Sequence, residues 1–305
     1  MRILVTGASG FVGRSLVPLL INAKYDVSVC TRGTITLPFS KKVKTFLVPD
    51  IGPNTNWTEA LSGINAVVHL AGRAHSSNDD LSEDKTAYEL INVAGTEHLA
   101  KSAAQAGVEK FIFISTVKVM GEKTWDIPYT ETQSPNPIDI YGKSKLAGEA
   151  ALRHVSEKFG MNIVILRPPL LYGPGVKANM LSLLKICQLS LPLPFAAVNN
   201  QRSFLYVGNL ADAIIVCLIN TKANGQTYFV CDGDDLSTPT LIRKISFALN
   251  KPARLFSVPN FLLRIIGSII AKPLVVERLL GNLQVNDKKL RRQLGWTPPF
   301  NVIQG

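Results

Sequence analysis

Residues 3 to 13 run Ile3-Leu4-Val5-Thr6-Gly7-Ala8-Ser9-Gly10-Phe11-Val12-Gly13, an apolar stretch of strand length that breaks into three glycines spaced three apart. A helix-like stretch at 14–23 follows, and a second apolar run lies at 27–31. Strand, glycine turn, helix and strand in that order make a βαβ unit whose turn suits a dinucleotide. Every glycine has a mechanical role. Gly7 permits a tight turn, Gly10 lets the backbone approach a pyrophosphate, and Gly13 lets helix and strand pack closely. The free N–H groups and partial positive charge at the helix N-terminus then hold the anion. A glycine-rich surface loop is the bland alternative. The flanking strands and helix argue against it.

The alternation continues along the chain. Further apolar runs of strand length lie at 44–48, 66–70, 111–114 and 162–166, with helical stretches at 57–61, 86–106 and 141–159 between them. This pattern predicts an α/β fold, a doubly wound parallel sheet of Rossmann type with helices on both faces. Gly107 and Gly160 stand where helix C-caps belong. After Arg167-Pro168-Pro169 the texture shifts to short elements punctuated by Pro and Gly. The expected organisation is a dinucleotide-binding domain over 1–166 and, over 167–305, mainly a smaller α/β substrate lobe, with 204–220 returning to the first lobe.

Composition narrows the classes of function. The four cysteines, Cys30, Cys187, Cys217 and Cys231, lack metal-ligand spacing and lie in apolar surroundings, so they read as reduced core residues of a cytoplasmic protein with no metal site. The N-terminus lacks the layout of a signal peptide. The apolar stretch 261–271 is interrupted by Arg264 and falls short of the roughly 20 residues of a membrane span, so a packed helix is expected there. Net charge is +11, and residues 251–305 hold nine Lys/Arg against Glu277 and Asp287. A solvated surface explains this; a diphosphate-bearing substrate or an anionic membrane face are the sharper alternatives. Nucleic acid is not expected, because the basic residues neither cluster densely nor interleave with aromatics.

Tyr141 and Lys145 lie four apart at the start of a predicted helix, which places phenol and ammonium on one face. A neighbouring cation favours the phenolate, so Lys145 is expected to lower the Tyr141 pKa and let Tyr141 act as general acid or base at a carbonyl or carbinol carbon. Ser115-Thr116 end the strand 111–114, so their hydroxyls fall at the carboxyl edge of the sheet, where ligands bind. Asn92, inside the long helix, is either a buried polar bridge or part of the support around Lys145.

Together Thr6-Gly-Ala-Ser-Gly-Phe-Val-Gly13, His69-Leu-Ala-Gly72, Asn92, Ser115-Thr116, Tyr141-x-x-x-Lys145 and Arg167-Pro168-Pro169 resemble the extended short-chain dehydrogenase/reductase family. Residues 118–122, 167–179, Arg202-Ser203, 237–239 and 294–299 are similar to its nucleotide-sugar branch, and within it to 4-ketoreductases of the UDP-N-acetylquinovosamine type and proteins of the UDP-glucose 4-epimerase type. The resemblance implies that Thr116, Tyr141 and Lys145 are catalytic. It implies a cofactor site made of Gly7, Gly10, Phe11, Val12, Gly13, Asp50, Ile51, Leu70, Ala71, Asn92, Tyr141, Lys145 and Pro168. It further implies substrate contacts from Thr116, Lys118, Asn179, Arg202 and Arg278, and a homodimer through the helices at 86–106 and 141–159. The sequence departs from the pattern twice. Val119-Met120-Gly121 lacks an aromatic common at its middle position, and Cys30-Thr31-Arg32 has a cation where an NAD-preferring site has an acid, so Arg32 favours NADP(H) over NAD(H).

The leading expectation is an NADPH-dependent reductase of a UDP-4-keto-6-deoxy-N-acetylhexosamine for surface polysaccharide. The alternative is a UDP-hexose 4-epimerase, and a non-catalytic NADP-binding regulator is the third.

Overall fold

The computed structural model describes residues 1–33, 39–74, 85–269, 271 and 273–305. Seven parallel strands form one sheet: β1 (Arg2–Thr6), β2 (Asp26–Thr31), β3 (Lys44–Leu47), β4 (Ala66–His69), β5 (Lys110–Ile114), β6 (Asn162–Arg167) and, after two strands that lie elsewhere, β9 (Thr227–Phe229). Their order is β3-β2-β1-β4-β5-β6-β9. In β1 everything after Arg2 is buried, as the unbroken run Ile3-Leu4-Val5 demands of a strand covered on both faces. The order reverses between β1 and β4, and the crevice beyond their carboxyl ends is where such sheets take ligands.

Helices cover both faces. On one side α1 (Phe11–Asn22) packs Leu16, Val17 and Leu20 into a core shared with Leu210, Ala211, Ile214 and Cys217 of α7 (Val207–Ile219). On the other, the stretch expected as one helix over 86–106 is three segments: α3 (Lys85–Tyr88), a π-helical stretch Glu89–Gly95, and α4 (Thr96–Gln105). Beside it lies α5 (Ile140–Phe159), and Leu99, Ala103, Leu152 and Val155 share a second core with Phe111, Phe113 and Ile163. The short α2 (Thr58–Leu61) completes this side. Asp139 starts α5, its carboxylate accepting from the Gly142 N–H at 2.6 Å, and Gly160 at φ +72° ends it. All four cysteines are buried and free.

The remaining elements form the smaller part. β7 (Leu170–Tyr172) and β8 (Phe204–Tyr206) pair in parallel as a separate ribbon. The other helices are α6 (Ala178–Gln188), α8 (Thr238–Ala248), α9 (Asn260–Ile269) and α10 (Pro273–Leu280), whereas α11 (Lys288–Leu294) packs beside β9 and buries Leu290 in the core shared by α1 and α7. Two features depart from expectation. Residues 227–229, unassigned from sequence, supply the seventh strand, because three residues are too few to show a period. The apolar stretch at 261–271 does form a helix over Asn260–Ile269, but it packs along a narrow stripe only: α9 buries Leu263 and Gly267, against α10.

Candidate active site

The glycine turn behaves as its spacing demands. Gly7 sits at φ +71°, and a Cβ there would lie 2.7 Å from the backbone nitrogen of Ala71, so the β1 turn presses directly on the loop after β4. A Cβ at Gly10 would lie 3.1 Å from the Gly7 carbonyl, and one at Gly13 2.5 Å from the Ala8 Cα. No side chain caps α1, whose first turn holds Phe11 and Val12. These bare N–H groups over a side-chain-free cradle fit a dinucleotide pyrophosphate. Leu70 and Ala71 line the cradle's other wall, tied to β1 by N–H donation from Leu70 to the Thr6 carbonyl. Asp50 and Ile51 follow β3, and Asp50 lines a cleft of about 480 Å³ together with Leu47, Val48 and Leu90. The Asp50 carboxylate accepts from the Ile51 N–H at 2.8 Å, so it shapes its own loop. Arg32 is exposed immediately after Thr31, the last residue of β2.

Tyr141 and Lys145 share one face of α5, as predicted, but their electrostatics differ from expectation. Burial, with Asp139 close by, pushes the Tyr141 phenol up to about 12 rather than down. Burial pushes the Lys145 ammonium down to about 7, opposed by Glu149. Desolvation is the largest cause of both shifts. Lys145 also lies 3.9 Å from the Phe113 ring centroid, a cation–π contact that retains part of its charge stabilisation. His69 bridges Thr6 and Thr96 through its two ring nitrogens, at 2.7 and 3.1 Å. Burial and the nearby Lys145 push its imidazole down to about 3, so it is neutral.

The π-helical stretch explains Asn92. Its side-chain oxygen accepts from the Arg73 N–H at 2.8 Å, and its amide donates to the Arg73 carbonyl and to Ser144 Oγ. Asn92 thus clamps the loop after β4 to the first turns of α5. The close fit requires Gly148, where a Cβ would lie 2.6 Å from the Asn92 carbonyl.

Ser115 and Thr116 part ways at the end of β5. Ser115 points beneath the cleft and donates to Glu149 Oε1 at 2.5 Å. Thr116 opens a short turn, its hydroxyl accepting from the Lys118 N–H at 3.3 Å. Pro168 supports the turn by accepting from the Val117 N–H. Under it Arg167 makes two hydrogen bonds to Glu149, at 2.9 and 2.6 Å, and a third to Met120 Sδ at 3.3 Å. The unusual Met120 is therefore a soft acceptor for a buried guanidinium. Glu149 and Ser144 are not among the residues the sequence points to, although Glu149 continues the four-residue spacing of Tyr141 and Lys145.

The candidate substrate residues fall into two groups. Lys118 pairs with Asp139 and with Glu122 at 3.0 Å, and Glu122 reaches Arg278 at 3.6 Å. Burial raises the Asp139 carboxyl, but hydrogen bonds from Lys118 and the Gly142 N–H hold it below the usual carboxylate range. Arg202 donates to the carbonyls of Arg278 and Gly281, which fixes its guanidinium beside Arg278. Burial pushes Arg202 down to about 10, so it stays charged at neutral pH. Asn179 is exposed in the first turn of α6, after Ala178 at φ +53°.

Residues 3–231 match the model of the NAD dependent epimerase/dehydratase family. The chain belongs to that family. Among curated members, a UDP-glucose 4-epimerase from Vibrio cholerae is 39% identical, covering 99% of this chain and 92% of that one. An N-acetyl-alpha-D-glucosaminyl-diphospho-ditrans,octacis-undecaprenol 4-epimerase from Escherichia coli O157:H7 is 27% identical, over 100% of this chain and 92% of its own. Of solved structures, a Thermus thermophilus UDP-glucose 4-epimerase in complex with NAD superposes with a TM-score of 0.78 at 25% identity, covering 100% of this chain and 96% of that one. This epimerase/dehydratase family member thus shares its Rossmann-type fold over its full length.

Proposed function

We propose that this family member is an NAD-dependent 4-epimerase of a UDP-hexose, not the reductase that Arg32 favours. The observation that carries the reading is the 39% identity, across nearly the whole chain, to a UDP-glucose 4-epimerase, in a chain with Thr116, Tyr141 and Lys145 all in place. The two curated relatives described above are each named as a 4-epimerase. The glycine cradle of residues 7–13, Asp50, Ile51, Asn92 and Lys145 would hold the dinucleotide. When bound, it supplies the acceptor and donor of a hydride.

The chain's own residues then handle binding and the proton. Arg202 and Arg278 are paired cations that suit a diphosphate, since each fork can bond two oxygens. Thr116 offers a hydroxyl to the oxygen on C4. With its pKa pushed up to about 12, Tyr141 is protonated at neutral pH and can deliver its proton to that oxygen. Delivering that proton leaves a phenolate, which the Lys145 ammonium one turn away stabilises, and taking a proton from the C4 hydroxyl restores the phenol.

Purified protein incubated with UDP-glucose or UDP-N-acetylglucosamine and no added cofactor is expected to form the C4 epimer. Tyr141→Phe should lower turnover by about two to four orders of magnitude and leave dinucleotide affinity intact. Failure to turn over either sugar, or unchanged turnover in the variant, overturns the reading. The second reading, an NADP(H)-dependent 4-keto reductase, rests on Arg32. It predicts stoichiometric NADPH consumption with a UDP-4-keto-6-deoxy-hexosamine.

A further inference from the structure

α9 and α10 form a hairpin whose outer surface is wrong for water. α9 buries only Leu263 and Gly267, one turn apart, and Gly267 is needed because a Cβ there would lie 2.6 Å from Val276 of α10. The contact between the two helices uses that narrow stripe. The other apolar residues face outward: Phe261, Leu262, Ile265, Ile266 and Ile269 on α9, with Leu274 and Val275 on α10. Ile269 is 77% exposed and Leu274 70%. A helix that lies on a protein surface in water carries polar residues on such a face, and a cluster of exposed apolar groups marks a surface that something covers.

Charge says what covers it. From Lys251 to Val276 the chain carries Lys251, Arg254, Arg264 and Lys272 and not one acidic residue. The first acid, Glu277, is paired with Arg264 at 2.7 Å. An apolar face in a stretch with a net excess of cations, four against one acid over residues 251–277, complements a bilayer with anionic headgroups: the apolar face enters the acyl boundary while the cationic excess stays among the phosphates. Among the described residues no helix is long and apolar enough to cross a membrane, so the contact is interfacial.

We propose that the α9–α10 hairpin docks this protein on the surface of an anionic lipid bilayer. The hairpin and the cleft share an element, because Arg202 is held by the carbonyl of Arg278 near the end of α10. The proposal is independent of the epimerase reading.

The test is flotation of the full-length protein with vesicles of phosphatidylethanolamine and phosphatidylglycerol, against vesicles of phosphatidylcholine alone. At least about tenfold more protein should float with the anionic vesicles, and raised salt should reduce the difference. The double variant Ile265→Glu/Ile269→Glu should stop floating while its circular dichroism and thermal midpoint stay those of the parent. Absence of flotation with anionic vesicles, or flotation that the double variant retains, overturns the proposal. So does a lipid-free dimer, seen by light scattering, that the double variant splits, since the face would then belong to a second copy of the chain.

Discussion

Lys145 stands between two opposing forces. Burial lowers its pKa to about 7, and the Glu149 carboxylate one turn along α5 pulls it upward. Glu149 is itself held by Arg167 and Ser115. Glu149→Gln removes the anion that favours the charged amine and leaves the Arg167 guanidinium uncompensated nearby, and both changes lower the Lys145 pKa further. Lys145 is charged below its pKa and neutral above it. The limb of the kcat/KM profile on which activity falls with rising pH should therefore move from about 7 to lower pH. A limb that stays in place refutes Glu149 as the residue positioning and charging Lys145. Breaking the buried pair should also cost about 3–5 kcal/mol in urea unfolding. The Tyr141 and Lys145 face was legible because four-residue spacing is a local fact of a helix. Their pKa directions were not, because desolvation depends on what the fold packs over them.

At the scale of elements, the glycine turn was fully legible. Its constraint is local to β1 and α1, and the structure attaches a steric reason to each position. Gly13→Ala puts a Cβ 2.5 Å from the Ala8 backbone, which cannot swing aside, so α1 must lift from β1. We expect a loss of about 1–3 kcal/mol in chemical unfolding, together with weaker dinucleotide binding by fluorescence titration. An unchanged unfolding midpoint would refute the close-packing role. The π-helical stretch over Glu89–Gly95 had no comparable signal, since an extra residue per turn leaves the composition of a helix unaltered. α9 shows the same limit from the other side: its apolar run has the composition of a core helix, and only its neighbours determine that most of it faces outward.

For the molecule as a whole, Asp232 is the knot. Its buried carboxylate accepts from the Tyr172 hydroxyl at 2.7 Å, the Tyr206 N–H at 3.0 Å and the Asn209 amide at 2.7 Å. Asn209 also donates to the Phe300 carbonyl at 2.8 Å, so β7, β8, α7 and the C-terminal segment meet at one side chain. Asp232→Ala strands several buried donors, and each can cost about 1–3 kcal/mol, so a loss of about 3 kcal/mol in urea unfolding is expected. A change below about 1 kcal/mol would mean that the knot is not what holds these segments.

The sequence by itself determined the parallel sheet, the dinucleotide turn and the Tyr-Lys pair, because each is written in residues close along the chain whose spacing alone imposes the geometry. Tertiary structure decided what distance along the chain conceals: the seventh strand from residues 227–229, the seating of Glu149 under Lys145 through Arg167, and the joining of Arg202 to the end of α10. It also decided that the apolar run after residue 260 faces outward. Burial, charge and contact are properties of neighbours, and the neighbours here are brought together only when the chain folds.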